Sequence, residues 1–192
     1  ADVPLGFERH PPGHAEIRRD QRHGSGMRFP TVMLRKVIVA RAGGFREPFR
    51  IGEDLDFLLR VGEIGEMANL PQVLYRYRQH VSSTSRMLGG AWSNYLEAIQ
   101  ALAVERATEG SDRLQRGLPL SIALPVKDEP VPAWAVYAIW AVPAAQAGFW
   151  RAGLKYAVWS VALNPRRRKP WLALRAVLAA IFARDGRAEA PR

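Results

Sequence analysis

Cysteine is absent from the 192 residues, which excludes a disulfide framework and a thiolate zinc site and favours a cytosolic setting. Several signatures of common chemistries are also missing: there is no P-loop, no Gly-rich dinucleotide fingerprint, no nucleophile elbow and no metalloprotease helix. No long apolar run is free of breakers. The longest uncharged stretch, 130–150, is interrupted by Pro132, Pro143, Gln146 and Gly148, and alanine dominates its apolar content, which argues against a membrane span. Ala1-Asp2-Val3 offers neither an initiator Met nor a basic-then-apolar leader, so the chain reads as a fragment.

What is present supports a globular protein of one domain or two small ones, because 48% hydrophobic content is enough for a core. The net charge of +10 is unevenly spread. Residues 1–150 hold 18 basic and 16 acidic side chains, for +2, whereas residues 151–192 hold 10 and 2, for +8. The basicity belongs to the tail.

Along the chain, residues 1–30 are rich in Pro, Gly, His and Arg without sustained periodicity and read as loop. His10 and His14 are four apart, but Pro11, Pro12 and Gly13 between them deny the pair a shared helix face. "TVML" at 31–34 suits a short buried strand, and "RKVIVARAGG" a helix stopped by Gly43 and Gly44. From Glu53 to Val61, Leu55, Leu58 and Leu59 form a helical stripe that Gly62 and Gly65 close. "EMANLP" and "QVLYRYRQH" read as two strands around Pro71, the second alternating Val73, Tyr75 and Tyr77 against Leu74, Arg76 and Arg78.

From Trp92 the pattern becomes helical, with Tyr95, Leu96, Ile99, Leu102 and Ala103 in register up to Gly110. "RGLPLSIALPVKDEPVP" predicts an irregular linker, followed by helices over 133–147, 149–163 and 171–184. Gly148, Trp150, Tyr156, Ala162, Leu163 and Pro165 resemble the second helix of a tetratricopeptide repeat, and a lone unit of that kind must dock on neighbouring helices.

The acidic cluster Glu53-Asp54-Leu55-Asp56 has a plain local explanation, since carboxylates at a helix start meet free N–H groups and the positive end of the dipole. Asp54 and Asp56 also mimic a metal-binding Asp-x-Asp, but residues two apart on a helix point to different faces and would not chelate one ion.

The order of pieces gives the cluster another meaning. A strand ending "MLRK", then "GGF", "GEDLDFLLR" and "LPQVLYRYRQH..S", over 29–85, resembles the C-terminal half of the catalytic domain of family-2 glycosyltransferases of the GT-A fold. The resemblance implies an α/β half-domain over 1–88 followed by an all-α region over 89–192 with its single tetratricopeptide-like helix. It also implies an inverting transfer of sugar from a nucleotide-diphosphate sugar to an acceptor hydroxyl, in cell-envelope or polysaccharide synthesis, with Asp54 as general base. A sugar hydroxyl is a poor nucleophile, so a carboxylate within hydrogen-bond reach must take its proton. Glu53, Gly43, Gly44 and Phe45 would then form the acceptor loop, and Arg76, Arg78 and His80 would contact the diphosphate, His80 also serving as a metal ligand. The implied cofactor is Mg or Mn, whose main Asp-x-Asp ligands belong to a first half that lies before residue 1; on that ground the fragment is expected to be inactive alone.

The implied partners are a nucleotide-sugar donor and a saccharide or lipid-linked acceptor. Arg166, Arg167, Arg168 and Lys169 beside an apolar helix add an anionic membrane surface, so the expected location is cytoplasmic, peripheral at the inner face of the membrane. No nucleic-acid motif accompanies the charge. The alternative function is a non-catalytic helical interaction or membrane-docking module.

Overall fold

The computed structural model describes residues 5–24, 26–83, 86, 91–124 and 130–188, with side chains as far as residue 183. Its elements are α1 (His14–Gln21), a 3-10 turn (Phe29–Thr31), α2 (Lys36–Ala42), α3 (Glu53–Ile64), α4 (Trp92–Glu109), α5 (Ala133–Gln146), α6 (Trp150–Leu163) and α7 (Arg168–Ala188). No strand occurs among the described residues, which corrects the α/β expectation: there is no GT-A half-domain here.

The physical reason lies in the two stretches expected to be strands. A strand satisfies its backbone only through a lateral partner. "TVML" instead begins in the 3-10 turn and continues as extended chain, with Met33 96% exposed. The "QVLYRYRQ" stretch takes no regular structure and is solvated, leaving Val73, Leu74, Tyr75 and Tyr77 exposed. Its period-2 alternation survives in the parallel stacking of Tyr75 on Tyr77, 6.3 Å apart, but no ladder forms.

Two compact units are distinguishable, one of residues 9–79 and 87–129, the other of residues 1–8, 80–86 and 130–192. In the first, α3 is the central element. Leu55 and Leu59 join Phe49, Ile51, Tyr95, Ile99 and Leu102 in one cluster, so this face lies on α4. Phe57 and Val61 join Ala42 in a second cluster with Ile38 and Val39, so another face lies on α2. Each fully buried side chain of this size contributes about 1.5–3 kcal/mol.

Two features of this unit escape pattern reading. Helix α3 runs through Gly62 rather than stopping there, because a Cβ at that position would stand 2.5 Å from Met67 Cε; the glycine serves packing. Helix α1 forms inside the segment expected to be loop. Its His14 ring accepts a hydrogen bond from Met67 N–H (3.2 Å), while the Asn69 amide donates to the carbonyls of Pro11 (2.8 Å) and Gly26 (2.9 Å). These long-range bonds hold the short helix, which propensity alone would not.

In the second unit, α5, α6 and α7 each pack on the other two around Ala141, Ala145, Ala157 and Val177. The repeat-like helix α6 thus docks on its neighbours. Its Gly153 sits where a Cβ would lie 2.8 Å from both Ala141 O and Ala145 Cβ. Gly153→Leu should therefore force α5 and α6 apart and lower stability by about 1–3 kcal/mol. Urea melts of the variant read this directly, and an unchanged midpoint contradicts the close packing. The linker segment 125–129, the stretch 87–90 and the end of the basic tail, 189–192, lie outside the described residues.

Candidate functional site

The start of α3 is built by a glycine. Gly52 adopts φ +77 at the N-cap, and a Cβ there would meet Ile99 Cδ1 at 2.8 Å, so both the left-handed turn and the approach of α4 require glycine. Helix α3 then opens with Glu53 and Asp54, both half-buried, and Asp56, fully buried. One Asp54 carboxylate oxygen accepts the Leu55 N–H at 2.8 Å. The carboxylates therefore do lie at the positive end of the helix dipole.

What fixes this turn is an ion cluster that the sequence reading did not find. Asp56 Oδ2 accepts from Arg60 Nε (3.1 Å) and Nη2 (2.8 Å), one helical turn on, and Arg46 Nε approaches it at 3.6 Å. Arg60 also donates to the carbonyls of Ala42 and Gly44, the latter at 2.6 Å, so it caps α2 and anchors the loop that follows. Arg46 continues the chain of charges to Asp112 Oδ2 at 2.8 Å; Arg106 pairs with the same oxygen and grips Glu63 with two bonds of 2.7 and 2.9 Å. Asp56 and Asp112 are 0% exposed and Arg60 4%. Paired and hydrogen-bonded charges can remain inside at this depth, whereas single ones cannot.

The loop residues expected around the acceptor take defined positions in this frame. Gly43 has φ +78 and its N–H closes α2 onto the carbonyls of Val39 and Ala40. Gly44 lends its carbonyl to Arg60. Phe45 packs edge-on to Phe57 (5.3 Å) and Phe29 (5.4 Å), yet stays 55% exposed. Gly43, Gly44 and Phe45 are thus tied to the helix that carries Glu53 and Asp54.

The expected diphosphate residues are placed differently. Arg76 and Arg78 are exposed on the irregular stretch, and His80, also exposed, belongs to the other unit, where its Nδ1 lies 3.1 Å from Ser82 Oγ. Among the described residues no three His, Asp or Glu side chains come together as a cation site.

Burial pushes the Glu53 carboxyl above its ordinary range; a hydrogen bond from its own backbone opposes the rise and the Asp54 charge adds to it. For Asp112, burial also pushes upward, but the Gln115 N–H and the Arg106 and Arg46 guanidinium groups outweigh it and hold the carboxyl below the usual range. The two acids therefore have opposite linkage to folding. Ionised Asp112 stabilises the fold above its ordinary pKa, and that contribution is lost as pH falls toward its depressed folded value. Ionised Glu53 is a penalty that grows as pH rises from the ordinary carboxylate value through its raised folded one. Glu53→Gln should accordingly gain stability toward neutral pH, while Asp112→Asn should lose it there and approach the wild type in acid. Urea melts across the acidic range separate the two, and parallel pH profiles for both variants contradict the assignment.

Comparison with protein families, with curated proteins and with solved structures finds no match for this chain.

Proposed function

We propose that the chain supplies the acceptor-activating part of an inverting glycosyltransferase that uses a nucleotide-diphosphate sugar, with Asp54 as the general base. The observation that carries this is the helix start itself. Two half-buried carboxylates, Glu53 and Asp54, stand at the first turn of α3, and a buried ion cluster fixes that turn to the loop 43–46. The proposal rests on the site and on the order of motifs around it, not on a fold.

The chemistry assigned to each group follows from its setting. Asp54, reachable from solvent, takes the proton of an acceptor hydroxyl as that oxygen attacks the anomeric carbon; the carbon's bond to the diphosphate breaks as the new glycosidic bond forms. Glu53, with its raised pKa, orients the acceptor by hydrogen bonding. Phe45 offers an exposed ring face beside the same loop. Arg76 and Arg78 are assigned to the leaving diphosphate as exposed cations. A divalent cation, Mg or Mn, would neutralise the same group when bound. The described residues do not gather its ligands, so none of the steps given to this chain passes through it.

The acceptor is a saccharide or a lipid-linked saccharide, and the setting is the cytoplasm at the inner face of the membrane. No helix among the described residues is long and apolar enough to cross a membrane. Labelled UDP-, GDP- and dTDP-sugars offered to the intact enzyme with saccharide and lipid-linked acceptors test the activity. Transfer with inversion at the anomeric carbon is expected; retention of configuration contradicts the single-base mechanism.

A further inference from the structure

From Pro130 to Arg184 the chain contains no Asp or Glu, but it contains Arg151, Lys155, Arg166 to Lys169, Arg175 and Arg184: eight cations and no acids, net +8. One-signed charge over this length contrasts with the other unit, where Arg46, Arg60, Arg106, Arg113 and Arg116 are all paired with carboxylates. The ion pairs among the described residues include none of the cations from Arg151 to Arg175. Among the described residues these cations have no carboxylate partner on their own helices.

These cations share their helices with large apolar side chains that face outward. On α7, the stripe Pro170, Ala173 and Val177 is buried in the three-helix core. The opposite face carries Arg168, Trp171, Leu172, Arg175, Leu178 and Phe182, with Trp171 51%, Leu172 59% and Phe182 69% exposed. On α6, Trp150, Arg151, Leu154, Lys155, Val158 and Trp159 line a shallow open groove of about 420 Å³. Arg151 lies over the Trp150 ring at 5.1 Å and Lys155 Nζ over the Trp159 ring at 4.4 Å. Both side chains are exposed, so each charged head lies over an indole at the surface of the helix.

We propose that the outer faces of α6 and α7 form a peripheral docking surface for a bilayer rich in anionic phospholipid headgroups. Indole rings favour the boundary between headgroup and acyl chain, and arginines beside them meet phosphate. An acidic protein would complement the charge but not need so many separately exposed indoles and aliphatics. A nucleic acid would engage the same cations but leave the exposed Trp171, Leu172 and Phe182 without an apolar partner. The inference goes beyond sugar transfer and holds whether or not Asp54 acts as a base.

Flotation of the full chain tests it, with vesicles of phosphatidylcholine alone and of phosphatidylcholine mixed with phosphatidylglycerol, at low and high salt. The protein should float with the anionic vesicles only, and high salt should release it. Replacing Arg166, Arg167, Arg168 and Lys169, all exposed, by Gln should weaken partition roughly fivefold per cation removed, and several hundredfold together. Leu172→Ser with Phe182→Ser should weaken binding while leaving its dependence on salt in place. Far-UV circular dichroism confirms that each variant retains its helices, and a variant that loses them is replaced by the single Arg167→Gln change, expected to show the fivefold loss. Equal flotation on neutral vesicles, undiminished binding by the four-Gln variant, or binding to a DNA duplex that anionic vesicles fail to compete away would each overturn the proposal. Vesicle binding is read without sugar transfer, so the two proposals fail separately.

Discussion

Asp56→Ala is expected to destabilise the chain by about 3–5 kcal/mol, a large part of the 5–15 kcal/mol that holds an ordinary domain. The loss is that of one partner from a buried ion pair. Arg60 would keep its charge inside without the carboxylate 2.8 Å away, and Arg46 would lose its second acid. Burial already lowers the Arg60 pKa, against the opposing charge of Asp56, so removal of that charge exposes the full desolvation cost. Arg60→Met should be comparably damaging, because it also leaves the Ala42 and Gly44 carbonyls without their donor. The double change Asp56→Leu with Arg60→Met should recover part of the loss, since apolar groups of similar volume often replace a buried pair at little cost. Additive losses in that cycle, measured by urea denaturation, contradict the pairing.

Asp54→Asn should act on chemistry and not on stability. The amide keeps the shape and can still accept the Leu55 N–H, so the melting point should change little. It cannot take a proton, and loss of a general base lowers turnover by about 10²–10⁴. Glu53→Gln, at the neighbouring position of the same helix start but assigned only to orientation, should lower transfer far less. A variant series in which Glu53→Gln is the more damaging of the two would move the base to Glu53, the carboxyl that burial pushes above its ordinary range.

The helices were legible where their evidence is local. Tyr95, Ile99 and Leu102 recur at helical spacing in α4 and end at Gly110, which takes φ +76 as a C-cap should. The strands were not, because alternation at Val73, Tyr75 and Tyr77 records a preference that only a neighbouring strand can realise, and none is present among the described residues. Helix α1 was hidden for the complementary reason: its stabilising contacts come from Met67 and Asn69, about fifty residues away.

The candidate site divides in the same way. Glu53 and Asp54 stand where an acidic helix start predicts, and Gly43 ends α2 as a Gly-Gly pair predicts. The clamp behind them was only half visible. Asp56 and Arg60 are four apart, a spacing that invites pairing, but Arg46, Asp112, Arg106 and Glu63 meet through the fold. The acidic residue that sequence logic removed from metal binding proves to be the buried anchor of the turn.

Asp54 as the base is tested most directly by the turnover of Asp54→Asn relative to wild type in the intact enzyme, with a labelled nucleotide sugar and its acceptor, at equal concentrations of folded protein. Transfer should fall at least a hundredfold with melting point and nucleotide-sugar binding retained. Near-normal transfer by the folded variant would contradict it.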